Sequence, residues 1–331
     1  MKILVVRFRQ MGDAILATPL LSTLRRNFPD ADIDFVLNER IAPLFVGHPA
    51  ISRIITFSEQ ERHSVFTYIK KVWHIVHQTR YDAIIDMRST VNTMLFALFS
   101  LGSKWRIGIK KPYTWGLFNH RIEACEDNES MIDHNLKLCL PLTPTPKEDL
   151  TDRNLSLSLT EKEKLAFRQY MQQQGIDFCR PVMLVGVTAK LEQKTWAENR
   201  MTEVLRRFIE TFPQWQVIFN YAPGREAENA RRIYERLDRH QNIFLDIQAR
   251  SPRELAAMAA HCTAYFGNEG GGRHIVHAMG RPSLVVCSPM ASKRTWLPQD
   301  TDTLALGIDA QDATVDVVWN MLLAFCQKLT V

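Results

Sequence analysis

The chain has 331 residues, of which 46% are apolar and 23% charged, and its 41 Lys and Arg outnumber 36 Asp and Glu to give a formal net charge of +5. That composition excludes collagen, coiled coil and a disordered chain, and the length suits two domains better than one of about 100–200 residues. Mean hydropathy is −0.18, and the longest apolar runs, such as 94–101, fall far short of the ~20 residues that span a bilayer.

The start, Met1-Lys2-Ile3-Leu4-Val5-Val6-Arg7, has too few apolar residues before Arg7 for a secretory signal, which needs roughly 7–15. Cysteines at 125, 139, 179, 262, 287 and 326 form no CxxC pair. Free thiols in a reducing compartment, a cytoplasmic location and no zinc site are therefore expected. A charge of +5 is too mild to imply a nucleic-acid partner.

Along the chain, Ile3–Val6 is a short all-apolar run that suits a parallel strand buried on both faces. Ala14–Asn27 follows at helical spacing, with Pro19 required early or at a kink. Ile33–Leu37 and Ile54–Phe57 read as strands. Val65, Ile69, Val72, Trp73 and Val76 recur at helical spacing. Ala83–Ile85 is a strand ending at Asp86, 91–101 a helix and Trp105–Ile109 a strand. Pro141-Leu-Thr-Pro-Thr-Pro-Lys-Glu-Asp-Leu150 is a stiff linker.

A second alternation begins with a strand at Val182–Val187. A helix at Arg200–Phe212, a strand at Trp215–Phe219 and a polar helix at Arg225–Arg239 follow. Ile243–Leu245, Ala264–Phe266 and Leu284–Val286 are strands, with helices at Pro252–His261 and around His274–Met279. The last helix, 315–329, is a candidate to pack back on the first domain. Strands separated by helices mean βαβ units and parallel sheets. The chain is thus expected to be α/β, with two Rossmann-like domains, 1–150 and 151–331, and a ligand in the cleft between them.

Three loops carry chemistry. Arg7-Phe-Arg-Gln-Met-Gly12-Asp13 follows the first strand; it is not GxGxxG, which argues against a dinucleotide oxidoreductase. Gly12 lets the backbone approach a ligand, and Asp13 stands at or near a helix start, where it would also serve as an N-cap. Val187-Thr-Ala-Lys190-Leu-Glu-Gln-Lys194-Thr-Trp196 follows the first strand of the second half. Its two lysines either meet phosphate oxygens or belong to a solvated loop. In Phe266-Gly-Asn-Glu269-Gly270-Gly271-Gly272-Arg273-His274, three glycines would bare backbone N–H groups at a positive helix end, an arrangement that binds phosphate. The alternatives are a plain flexible turn and, for His274, a structural histidine.

Between Met87 and Ile122 no residue is acidic, while Arg88, Lys104, Arg106, Lys110, Lys111 and Arg121 are basic and Trp105, Tyr113, Trp115 and Phe118 are interleaved. Such a window is either a solvated face over core aromatics or a docking surface for an anionic sugar, lipid headgroup or membrane.

Taken together, these segments resemble glycosyltransferase family 9, the lipopolysaccharide core heptosyltransferases. The matching pieces are Gly12-Asp13-Ala-Ile-Leu-Ala-Thr18-Pro19, Tyr81-Asp82-Ala-Ile-Ile-Asp86, Lys194-Thr195-Trp196 and the segment from Gly267 to Pro282, in the family's order over nearly the whole chain. Glu269 stands where the family usually has Asp, Gly270 where it has Ser or Thr, and Ala189 and Lys190 where it has Thr residues.

The resemblance implies a GT-B fold and an inverting, metal-independent transfer needing no cofactor beyond the nucleotide-sugar co-substrate. The donor, usually ADP-heptose, would bind the second domain through Lys190, Lys194, Glu269, Gly270, Gly271, Gly272 and His274. The acceptor, an anionic lipopolysaccharide core, would bind the first domain at Gly12, Arg88, Lys104, Arg106, Lys110, Lys111 and Arg121. Asp13 would be the catalytic base. A peripheral contact with the cytoplasmic face of the inner membrane is also implied. The alternatives are another nucleotide sugar for a different surface polysaccharide, or a noncatalytic binding protein on the same fold.

Overall fold

A computed structural model describes residues 1–8, 10–127, 129–143, 150–289 and 291–329. Most of the linker, 144–149, lies outside the described residues. The chain divides into two units, Met1–Ser158 and Leu159–Val331.

Among the described residues, unit 1 has six strands: β1 (Lys2–Val6), β2 (Asp32–Asn38), β3 (Arg53–Phe57), β4 (Ala83–Asp86), β5 (Trp105–Ile109) and β6 (His120–Ile122). All pairs are parallel, in the order β3-β2-β1-β4-β5-β6. Its helices are α1 (Met11–Ile15), α2 (Thr18–Asn27), α3 (Glu59–His63), α4 (Val65–Thr79), α5 (Met94–Leu98) and α6 (Met131–Lys137). The helix expected over Ala14–Asn27 is broken in two. Pro19 lacks an N–H and occupies the first turn of a new helix, where none is needed. Thr18 Oγ1 closes the junction by donating to Ile15 O at 2.8 Å.

One face of the sheet packs Leu4, Val6, Phe57, Tyr68, Val72, Val76, Ile84 and Phe96 into an aromatic-rich core. Phe8 meets Phe57 edge to face at 5.2 Å. Burying each such side chain is worth about 1.5–3 kcal/mol, so β1, buried on both faces after Lys2, has to be central. The Tyr81–Asp86 motif is structural in large part. Tyr81 Oη donates to buried Asp34 at 2.5 Å, Asp82 Oδ2 accepts from the Lys2 N–H at 2.7 Å, and Asp86 Oδ1 accepts from the N–H groups of Arg88 and Ser89.

Unit 2 repeats the plan. Its strands are β7 (Val182–Gly186), β8 (Gln216–Phe219), β9 (Ile243–Phe244), β10 (Ala264–Asn268), β11 (Ser283–Val286) and β12 (Ala305–Ile308), all parallel in the order β12-β11-β10-β7-β8-β9. Its helices are α7 (Glu161–Gln173), α8 (Glu198–Thr211), α9 (Arg225–Arg236), α10 (Pro252–Ala259), α11 (Gly271–Ala278), α12 (Lys293–Trp296) and α13 (Val315–Leu329). The last helix packs on α8 and β11 of its own unit, placing Leu322, Phe325 and Cys326 in that core. Among the described residues, no helix is long and apolar enough to cross a membrane.

Candidate functional site

In a parallel sheet of this order the chain leaves in opposite directions from the first and fourth strands, and ligands bind at the carboxyl ends beside that gap. In unit 2 the gap lies between β7 and β10. Two of the loops singled out by sequence leave from there. Gly186 and Gly267 pair directly across the two strands. Gly267 has φ +136°, and a Cβ on it would stand 2.4 Å from Gly186 O, so only glycine fits.

Asn268, the next residue, bridges the two loops. Its Oδ1 accepts from the Trp196 N–H at 2.6 Å and its Nδ2 donates to Gly186 O at 2.9 Å. Trp196 is buried, and its indole N–H donates to Ala313 O at 3.2 Å. Thr195 Oγ1 accepts from the Ala189 N–H at 3.1 Å, folding the loop on itself. The Trp is thus an anchor, the Thr a staple and half-buried Lys194 the group held toward β10. Lys190 is exposed, and its carbonyl accepts from Arg225.

Gly270 is the N-cap of α11, and Gly271 and Gly272 open the helix, as the phosphate-binding reading requires. A Cβ on Gly270 would meet nothing within 4 Å, so its value lies in bare backbone rather than in tight packing. Glu269 is buried, with Oε1 3.3 Å from His274 Nε2 and 3.6 Å from Arg273 Nη2. Burial alone would raise its pKa, but His274, Arg273 and Lys194 outweigh that and hold it down to about 2. Glu269 is therefore a fixed anion, and Lys194, Arg273 and His274 gather around it. Arg273 is fully buried, and burial lowers its pKa; it donates to Trp296 O at 2.8 Å.

In unit 1 the gap lies between β1 and β4. Arg7, buried at the end of β1, spans it: Nη1 donates to Met87 O at 2.9 Å and Nη2 to Asp13 Oδ1 at 3.1 Å. The capping alternative for Asp13 is corrected here. The N-cap of α1 is Gln10, and Asp13 lies within the first turn, its carboxylate oriented by Arg7. Gly12 is beside it, and Arg88 Nη1 donates to Phe8 O at 2.7 Å, adding a cation at the same strand ends.

The basic window does not gather at one place. Lys111 Nζ donates to Arg88 O at 2.8 Å, and Lys110 pairs with Glu123; both follow β5 at its carboxyl end. Lys104 and Arg106 are at the amino end of β5, away from Asp13, because every strand of the sheet runs the same way. Lys104 lies over the Trp105 ring, and Arg106 is spent on the carbonyls of Leu101, Ser103 and Leu117. Arg121 is exposed on the edge strand β6. Phe118 is core, but Tyr113 and Trp115 are exposed.

Cys125, Glu129 and His134 bring ligand atoms within 4.8 Å of one another, the one such metal-type trio among the described residues, and Lys137 already holds Glu129 at 2.6 Å. A cavity of about 500 Å³ in unit 2, lined by Phe167, Tyr170, Arg250 and Arg253, includes none of the motif residues.

Arg7 and Asn268 are the contributors that sequence reasoning did not assign, while Arg273 was expected to add charge or hydrogen bonds beside His274. For the first two the signal was adjacency alone, since each lies in a quoted motif but its partners are set by strand pairing.

The family model described as glycosyltransferase family 9 (heptosyltransferase) matches residues 69–315. Lipopolysaccharide heptosyltransferase 1 of Campylobacter coli is 20% identical over 300 residues, covering 89% of this chain and 86% of that protein. A family 9 glycosyltransferase structure from Veillonella parvula superposes with a TM-score of 0.81 at 17% identity, over 97% of this chain and 90% of that one. The Escherichia coli ADP-heptose lipopolysaccharide heptosyltransferase II structure gives 0.76 at 20% identity, over the whole of both chains. A parallel sheet in each unit, the glycine-opened α11 and the Lys-Thr-Trp anchor are thus parts of a GT-B glycosyltransferase, and the chain belongs to glycosyltransferase family 9.

Proposed function

We propose that this protein transfers a heptose from ADP-heptose to a lipopolysaccharide-core acceptor with inversion at the anomeric carbon and without a metal. The observation that carries the reading is the set of groups at the β7/β10 gap: Lys194, the glycine-opened end of α11 and the fixed anion Glu269. An ADP-heptose enzyme of the same fold supports the choice of donor.

In this reading Asp13 accepts the proton of the acceptor hydroxyl as that oxygen bonds to the anomeric carbon. The bond from that carbon to the diphosphate oxygen breaks, and the charge gained by the leaving group is met by Lys194, Lys190 and the backbone N–H groups of Gly271 and Gly272. Gly270, at the cap, lets the diphosphate approach. Glu269 orients His274 and Arg273 and receives donor hydroxyls. Arg88, Lys110 and Lys111 draw the anionic acceptor to the strand ends of unit 1, a task for which Lys104, Arg106 and Arg121 are poorly placed.

The test is Asp13→Asn, which keeps the shape but cannot take the proton. A fall in kcat of about 10²–10⁴-fold with donor affinity retained is expected, alongside a lower Tm because buried Arg7 loses its anion; near wild-type kcat would remove Asp13 from the role. A second reading, transfer from another nucleotide sugar, is favoured by Glu269 and Gly270 standing in place of Asp and Ser or Thr. Thermal-shift comparison of ADP, UDP and GDP sugars separates the two.

A further inference from the structure

We propose that Cys125, Glu129 and His134 form a zinc site in unit 1. They stand in the order Cys-x3-Glu-x4-His, just past the edge strand β6 and on helix α6, and their ligand atoms lie within 4.8 Å of one another. The turn that carries the first two is closed on itself. The Glu129 N–H donates to Glu126 O at 3.1 Å, and the Glu126 N–H donates to Glu129 Oε2 at 3.1 Å. Helix α6 starts from there, and its His134 N–H donates to Ser130 O at 2.9 Å, which sets the imidazole beside the turn. The three donors are therefore placed by backbone that is already fixed.

A second observation points to a ligand. The His134 side chain is 5% exposed, and its Nδ1 has no hydrogen-bond partner among the described residues. Glu129 Oε2, at 3.6 Å, is within ion-pair range of that nitrogen but beyond a hydrogen bond. Buried polar atoms are normally satisfied, so a ring nitrogen facing a carboxylate and a thiol is a place for a cation between them. Burial also lowers the His134 pKa and favours the neutral imidazole, the form that ligates a metal. Lys137 Nζ holds Glu129 at Oε1, 2.6 Å away, and leaves Oε2 turned to His134. One carboxylate oxygen held from outside while the other meets the metal is a common support for such a ligand. Glu126 and Asp127 follow Cys125 directly and add negative potential. Arg7, which also faces His134, is paired with Asp13.

Thiolate, imidazole and carboxylate together suit zinc, whereas magnesium and calcium take oxygen ligands. Binding replaces the S–H bond of Cys125 with a bond from sulfur to zinc, and the proton leaves to solvent. Three protein ligands leave the fourth position to water. The ion ties the segment after β6 to α6. Asn135 of that helix donates to Leu16 O at 2.7 Å, between α1 and α2. Zinc is thus a clamp on the helix pair that carries Asp13 and not a reactant, since none of the groups assigned to the transfer is a ligand. Its binding is measured without donor or acceptor, so the site and the proposed function can fail separately.

The experiment is titration of the chelator-stripped full chain with cobalt(II), followed by displacement with zinc. Wild type should show a thiolate-to-cobalt charge-transfer band in the near ultraviolet that zinc abolishes, and zinc should raise its Tm. Cys125→Ser should lose the band while its metal-free Tm matches wild type. Its zinc affinity should fall by at least the roughly 10–100-fold that losing an outer partner of a ligand costs. Glu129→Gln should weaken zinc as well, and Cys179→Ser, at an exposed cysteine of unit 2, should keep the band. The proposal is overturned if wild type gives no band, or if Cys125→Ser keeps it. It is equally overturned if zinc affinity is unchanged in both Cys125→Ser and Glu129→Gln, which would assign the ion to exposed histidines such as His63 and His74.

Discussion

Asn268→Ala removes one side-chain amide and severs both ties at the β7/β10 gap. The Trp196 N–H loses its acceptor at 2.6 Å, and Gly186 O loses its donor at 2.9 Å. Neither group can turn to water, since Trp196 and Gly186 are buried. Leaving a buried donor or acceptor unmade costs about 1–3 kcal/mol, so the pair amounts to about 2–6 kcal/mol. The loop bearing Lys194 is then held by Thr195, the Trp196 ring and the Arg225 contacts to Lys190 O and Glu192, without its tie to β10, so donor affinity should fall along with stability. Asn268→Asp divides the effect: a carboxylate still accepts from Trp196 N–H but sets an oxygen against Gly186 O. The assays are urea unfolding followed by Trp fluorescence and calorimetry of ADP binding. A stability change within about 0.5 kcal/mol, the range of ordinary surface substitutions, with wild-type ADP affinity, would refute the view that Asn268 couples the two loops.

Three further outcomes are expected. Lys194→Ala removes the cation held toward Glu269 and should weaken nucleotide binding about tenfold, read by calorimetry; unchanged affinity and turnover would dismiss Lys194 as a donor contact. Gly267→Ala forces a Cβ to 2.4 Å from backbone at φ +136° and should destabilise by about 1–3 kcal/mol or more. Gly280→Ala, also at positive φ but with nothing within 4 Å, is the control for the conformational part, so equal loss of Tm in both would show that close approach contributes nothing. Burial pushes His48 down to about 4, and its Nδ1 accepts from the Ala50 N–H, which needs a bare nitrogen. The folded pKa lies below the unfolded value of 6.5, so the unfolded chain takes the proton first; stability is full above pH 6.5 and declines toward pH 4. His48→Asn keeps an acceptor that does not titrate, and its Tm should fall less over that window; equal slopes would assign the decline to other groups.

Most strands were legible because burial on both faces demands unbroken apolar runs, as in Leu184-Val185 and Ile84-Ile85. The exceptions follow from the same rule. The edge strand β6, His-Arg-Ile, is half exposed and carries no apolar run, and β12 is only partly buried. Helix α7 was missed because it buries little beyond Phe167 and Met171. The face of α4 cannot be read from period alone, since Val65, Ile69 and Trp73 recur as regularly as the residues that are buried. At the candidate site, the loops after β1, β7 and β10 were legible from glycines and charge in place. Arg7 and Asn268 act on partners 80 and 82 residues away, and only strand register brings those together.

Placing the first strand of each unit at the middle of its sheet has a consequence for synthesis. Ile3 waits for Ala83, and Met183 for Ala264, before the inner flank of β1 or β7 is covered. At about 5–20 residues per second, roughly 80 residues take about 4–16 s. For that interval an apolar strand destined for the centre of the sheet is an edge, with bare N–H and C=O groups that any extended chain nearby could pair with. The hazard arises twice in one polypeptide. It belongs to the nascent chain on the ribosome, so growth temperature and chaperone supply, more than the stability of the finished fold, should govern soluble yield. Slowed elongation that left yield unchanged would count against this.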